Sequence, residues 1–534
     1  MALALAGCAA DPAPAPSSSV AGTPTAVFNF GTGAAPNGLD PALVGDTESY
    51  RITRQILEGL VTVDPTTGDP APSLATSWQE LQDGLAYSFT LRHNVLFQDG
   101  TPFNADAVCT NFQRWFNLPA AARPDVSAVT FQQVFKAFSD DPKSSIYQGC
   151  TVTGTDKVTI TLTSRLTSFL KALTMPAFGI SSPTALAEGT ADTLNQTVSG
   201  NKISVYAQHP VGTGPYSFEY WTAGDVRLKA NPGYWGDKGE IGTINFIPYD
   251  NPATRLQALT SGRIDGYDMV TPGNFDQLTK SGLQILQRDP FSVMYVGINQ
   301  AVPVMADLKV RQAVAMAIDK DALIRKFYIQ GTGQTAQFIP PKLSPFNSTV
   351  PGLPYDPDRA RKSLAESSYK GEPIKFYYPL GVTRAYLPTP EKVYAEIASE
   401  LTAVGFNIQP VPVEWSDDYL GKVTQPGDHA LHLLGWNGAY ADPDNFVGPL
   451  FGSSTGEFGL NDPQLVSKID RARTLPDGQD RTDAYQSINQ QIIQTVPAVP
   501  IAFPISALAL SNRVTSYPVS PVLNEVFNKI KLSS

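Results

Sequence analysis

The sequence predicts an α/β protein of two lobes joined by crossing strands. Three observations predict it. The chain has 534 residues, too many for a single hydrophobic core, so it must divide. Its first half reads as a mixed set of strands, whereas a strand–helix–strand unit of the layered α/β kind comes late. Strand patterns then return at the very end of the chain, which requires a connection back. The 42 Gly and 45 Pro imply many turns and long connections, not a helical bundle. Nothing repeats at a fixed period, which argues against solenoids and propellers.

The elements follow in order. Residues 26–30 (AVFNF) start the body as a strand, and 47–60 read as a helix with Ile52, Ile56, Leu57 and Leu60 at helical spacing. A strand at 60–63 leads to a turn marked by Pro65, Gly68 and Pro70. Residues 87–91 alternate as YSFTL, a half-buried strand. A helix opens at Asn104 or Ala105 and runs through Trp115 and Phe116, and strands at 151–153 and 157–162 pair. A Gly-Pro turn at 210–220 feeds a strand whose antiparallel partner is 226–230. Then come a strand at 244–248, a helix at 252–260 and a short strand at 264–270. Arg288, Asp289 and Pro290 mark a break before a strand at 293–299 and an amphipathic helix at 310–318. Residues 374–378, 391–404 and 406–413 form the late strand, helix and strand. After the stretch 431–446 come a helical tail near 470–491 and strands at 502–508 and 515–518.

The 39 basic and 49 acidic residues give a net charge of −10, which argues against a non-specific nucleic-acid binder. Four His, at 93, 209, 429 and 432, show no metal-site spacing, so no metal and no cofactor are expected. The start, MALALAGC, reads as the last part of an export signal, and Leu5-Ala6-Gly7-Cys8 resembles a lipobox with Cys8 as the lipid-bearing residue. The following Pro, Ala, Ser and Thr run cannot form a core and reads as a tether. Residues 1–8 are thus expected to be a partial signal peptide and 9–25 a tether, holding the protein outside the cytoplasm on the membrane surface. In an exported protein, Cys109 and Cys150 suggest one disulfide, with two separate buried thiols as the alternative.

Catalytic patterns are missing from the sequence: there is no GxSxG, HExxH or GxxxxGK[ST], and no Cys-His pair. An enzyme is therefore not expected. The suggestive stretch is 431–446, LHLLGWNGAYADPDNF, an apolar strand that ends in a polar, turn-rich loop. Such a strand end places polar groups at the mouth of a hydrophobic layer, where binding sites form. Asp442 and Asp444, flanking Pro443, either face a ligand or close the turn. Trp221, Tyr234, Trp235, Trp415, Trp436 and Tyr440 are spread over both prospective lobes and suit a cleft that grips a ligand without covalent chemistry.

Several segments carry a family resemblance: QILEGL at 55–60, PSLATSW at 72–78, YSFTLR at 87–92, FQDGTPFNADAV at 97–108, GTGPY at 212–216, NPGYW at 231–235, VRQA at 310–313 and AIDK at 317–320. With them, the chain resembles the bacterial extracellular solute-binding proteins of the peptide, nickel and opine group over nearly its whole mature length. The resemblance implies a two-lobed, type II periplasmic-binding-protein-like fold that closes on its ligand. It implies a first lobe at 26–291 with an inserted subdomain at about 64–200, a second lobe at 292–498, and a return to the first at 499–534. It implies a monomeric lipoprotein that captures oligopeptides or dipeptides and delivers them to an ABC permease. The alternatives are another solute (a nickel chelate, an opine or an oligosaccharide) or an envelope interaction protein. It implies that the strand-loop at Gly435 and Trp436 holds the ligand; Asn437, Tyr440 and Trp415 are further ligand-binding candidates. In peptide-binding relatives an Asp three residues after the Trp pairs with the free amino terminus, and here that residue is Ala439. Asp442 or Asp444 would then supply the charge, and Arg384 in GVTRAY is the candidate for a carboxylate end.

Overall fold

The computed structural model describes residues 24–65, 67–123, 130–198 and 200–533. The expected signal remnant, Cys8 and nearly all of the tether lie outside the described residues. Two large sheets organise the chain. The first joins seven strands in the order Tyr216–Trp221, Val226–Ala230, Ile241–Pro248, Ala26–Thr32, Gly266–Tyr267, Ser506–Leu510 and Gln284–Arg288. The second joins six, in the order Gly333–Gln334, Ala498–Phe503, Ser292–Ile298, Leu431–Asn437, Ile374–Leu380 and Ile408–Glu414. Each sheet has its own apolar core. The chain passes between them twice, at residues 289–291 and 504–505. The second passage lies beyond the boundary of 498 expected from sequence, because Ala498–Phe503 still pairs with Ser292–Ile298 in the second sheet.

A third core belongs to a four-stranded sheet of Ala75–Leu81, Ala86–Leu91, Lys157–Leu162 and Tyr147–Gly154, with the helix Ala105–Phe116 against it. Asn104 caps that helix, its side chain accepting from the N–H of Ala107. Cys109 on the helix and Cys150 on the edge strand form a disulfide. This unit is the inserted subdomain.

The resemblance-bearing segments hold it in place. Glu58 accepts from Thr213 Oγ1 at 2.8 Å, Tyr234 Oη at 2.9 Å and Trp235 Nε1 at 2.8 Å. The Arg92 guanidinium stacks 4.1 Å from the Trp235 ring. Gln98 Nε2 donates to the carbonyls of Ile56 and Tyr216. The helix at 47–56 stops short of the expected Leu60 for the same reason. The carbonyl of Ile56 accepts from Gln98 and from the N–H of Gly214 rather than continuing the helix. Gly214 is required there, since a Cβ would lie 2.7 Å from the carbonyl oxygens of Gln55 and Ile56. The expected strand at 264–270 shrinks to Gly266–Tyr267, because Asp268 is drawn into an ion-pair network.

That network anchors the first passage. Arg288, the last residue of its strand, donates to Asp268 at 2.7 Å and to Glu525 at 2.6 Å, and Arg51 joins Asp268 and Glu48. All are buried, so each charge depends on its partners. The two guanidiniums hold the Asp268 carboxyl well below its usual range despite its burial.

Candidate functional site

The strands Ile374–Leu380 and Ile408–Glu414 run parallel, and Leu431–Asn437 runs parallel to Ile374–Leu380. Their carboxyl ends therefore lie at one end of the second sheet. Ser292 pairs with Asn437, which puts the passage between lobes at that same end. The first sheet presents the matching end. Arg288 closes a strand that runs in the same sense as Ala26–Thr32, and Gly33, just after the latter, donates to Glu48 at 3.1 Å. The helix Thr47–Ile56 thus begins beside the passages, facing the second lobe. Ligands of open α/β sheets bind in a crevice outside such carboxyl ends.

Three of the expected residues converge there. Arg384 follows the strand Ile374–Leu380, Trp415 follows Ile408–Glu414, and Trp436 ends Leu431–Asn437. The Arg384 guanidinium lies over the Trp415 ring at 4.1 Å, and Trp415 stacks on the buried Tyr419. Arg384 Nε and Trp436 Nε1 are both buried without a hydrogen-bond partner. Gly435 is overlain by Tyr386, and a Cβ would sit 2.4 Å from that ring and 2.6 Å from the carbonyl oxygen of Val293. Asn437 is half-buried at the strand end. Below the site, His432 Nε2 lies 3.1 Å from Glu457 Oε1, to which Tyr295 donates at 2.7 Å. Burial, reinforced by neighbouring His432, pushes His429 down to about 4, so this layer holds neutral imidazole there.

The other expected residues are placed differently. Tyr440 packs into the core of the inserted subdomain. Asp442 and Asp444 are held by ion pairs. Asp442 accepts from Arg481 at 2.7 Å, and Asp444 accepts from Arg473 at 2.7 Å. Asp444 also begins the helix Asp444–Phe451, where a loop was expected. Both carboxylates are buried and need these cations, so withdrawing them would leave two unpaired guanidiniums.

Sequence reasoning missed Asp46 and Tyr386. Asp46 caps the helix Thr47–Ile56, its Oδ1 accepting from the N–H of Ser49 at 2.8 Å, while Oδ2 is buried without a partner. Burial raises its pKa; the Ser49 hydroxyl and N–H oppose that most, and Arg384 least. The sequence signals the cap through an Asp before an apolar-periodic run, but nothing in it shows which way the second oxygen faces. Among the described residues, no group of three or more His, Cys, Asp or Glu is arranged to hold a metal ion, and no helix is long and apolar enough to cross a membrane.

Two lobes, each with its own sheet, joined by two passages at facing strand ends, are the architecture of a two-domain solute-binding protein. The chain belongs to the bacterial extracellular solute-binding proteins of family 5, whose "family 5 Middle" model matches residues 69–458. It is 29% identical over 524 residues to the heme-binding protein A of Haemophilus influenzae, covering 94% of this chain and 91% of that protein. It is 28% identical over 516 residues to the dipeptide-binding protein of Escherichia coli, covering 93% of each. The fold matches the ABC transporter-associated periplasmic binding protein DppA of Helicobacter pylori in complex with the peptide STSA. That match has a TM-score of 0.83 at 24% identity and covers 95% of this chain and 98% of the other.

Proposed function

We propose that the protein captures short peptides in the interlobe crevice and hands them to an ABC permease without turning them over. One observation carries the reading. Arg384 is poised on Trp415 with a buried unpartnered Nε, and Trp436, on the neighbouring parallel strand, has a buried unpartnered Nε1; all three lie at the carboxyl ends of parallel strands. A guanidinium held flat by stacking presents its fork to a carboxylate, and an indole N–H adds a donor without charge. The peptide-bound relative and the dipeptide-binding relative support the ligand class. Native mass spectrometry of protein purified without denaturation tests it. A ladder of short-peptide masses is expected, and a single discrete non-peptide mass overturns it. Ala439 favours a second reading, a solute without a free amine, which that single mass would establish.

We also infer attachment to the outer face of the membrane through a lipid on Cys8, supported by the LAGC run and the tether-like composition after it. Cys8→Ser in the expressed precursor is expected to move the protein from the detergent phase to the aqueous phase. An unchanged partition would overturn the inference.

A further inference from the structure

A ligand with a free ammonium needs an acid, and position 439 supplies none. The carboxylates nearest the crevice are nearly all committed. Asp442 and Asp444 are paired with Arg481 and Arg473, Glu48 with Arg51, Asp268 with Arg51 and Arg288, and Asp40 with Arg114. Asp442 Oδ2 is also buried without a hydrogen-bond partner, but Lys171 lies 3.8 Å from it and Arg481 holds the other oxygen. Asp46 differs in that, among the described residues, no ion pair holds it: one oxygen caps its helix, and the other is buried without a hydrogen-bond partner. A buried oxygen of this kind is costly unless something reaches it. It stands on the first lobe, at the end of the first sheet that meets the passages, across from the Arg384 loop of the second lobe.

We propose that Asp46 binds the ammonium end of the ligand from the first lobe, in place of an acid from the second. The two ligand ends are then held by opposite lobes, ammonium on Asp46 and carboxylate on Arg384. Binding at both ends pulls the lobes together, so a zwitterion favours closure more than a ligand carrying either charge alone. The inference rests on the peptide reading above.

The test uses the full chain and titration calorimetry against an equimolar dipeptide pool and the same pool after N-acetylation. Asp46→Asn keeps the cap, since Asn serves as well as Asp at that position, and removes only the charge. Its thermal midpoint and near-ultraviolet dichroism should match the wild type. The wild type is expected to bind the acetylated pool at least about tenfold more weakly than the free pool. Asp46→Asn is expected to lose that discrimination by weakening the free pool alone. Equal binding of both pools by the wild type, or full discrimination retained by Asp46→Asn, overturns the assignment and leaves the peptide reading standing. Failure of the wild type to bind either pool overturns both together.

Discussion

At the scale of single residues, Arg384 and Glu58 make contrasting predictions. Arg384 is held by its stack on Trp415, and its value lies in a planar fork. Arg384→Lys keeps the charge but loses both fork and stack. It is expected to weaken binding of peptides with a free carboxylate about tenfold, or about 1.4 kcal/mol, and to leave C-terminally amidated peptides unaffected, as calorimetry would show. Glu58 is structural. Burial outweighs its three donors and holds its carboxyl at about 6, above the ordinary 4.5. Below about 4.5 both folded and unfolded states are protonated and the burial carries no ionic cost. As pH rises from about 4.5 to about 6 the unfolded state ionises first, so the stability contributed here falls through that window and is constant above it. Urea midpoints across that range should decline for the wild type and change less for Glu58→Gln. That variant can keep its carbonyl oxygen for Thr213 and Trp235 and turn its amide to the Tyr234 hydroxyl, so the loss of the buried charge rather than of the hydrogen bonds should set its pH profile.

At the scale of elements, the strand Leu431–Asn437 shows what the sequence carries and what it does not. Its apolar run and its polar margin were legible from composition, whereas its end at Asn437 was not. The helix Ala105–Phe116 with its Asn104 cap and the pairing of Cys109 with Cys150 were legible too. These depend on neighbours in sequence or on residue type alone. The partners of Asp442 and Asp444 were not legible, because Arg473 and Arg481 arrive from helices about thirty to forty residues further on. The early stop at Ile56 was hidden for the same reason, since Gln98 and Gly214 impose it from distant segments. Gly435→Ala tests the strand directly. The added methyl must displace either the Tyr386 ring or the Val293 backbone, and should cost about 1–3 kcal/mol in chemical denaturation. The disulfide is separable from the site. It closes a span of 41 residues in the inserted subdomain, and replacing both cysteines by serine should cost about 2–4 kcal/mol while leaving ligand affinity unchanged.

At the scale of the whole molecule, the two passages at 289–291 and 504–505 allow the lobes to hinge, and the contacts between lobes decide where the balance lies. The Arg51–Asp268–Arg288–Glu525 network fixes the first-lobe end of one passage, so motion should fall on the passages themselves rather than on the sheet behind them. On the far side, the second lobe grips the inserted subdomain. Lys136 pairs with Asp470 at 2.6 Å, Thr167 Oγ1 donates to the carbonyl of Leu475 at 2.6 Å, and Tyr440 is buried in the subdomain's core at 5% exposure. Tyr440 is carried by the loop that follows Trp436, so opening by rotation of the second lobe must withdraw it. Its burial then stabilises the closed arrangement alone, by an amount on the order of 1.5–3 kcal/mol for a large side chain. Tyr440→Ala should accordingly reduce the closed fraction and lower apparent affinity by about one to two orders of magnitude. The loss should fall equally on free, acetylated and amidated peptides, unlike the selective losses argued for Asp46 and Arg384. Small-angle scattering of the unliganded variant should give a larger radius of gyration than the wild type, converging on it at saturating ligand. Unchanged affinity together with unchanged scattering would mean that the loop bearing Tyr440 stays docked on the inserted subdomain while the rest of the second lobe moves.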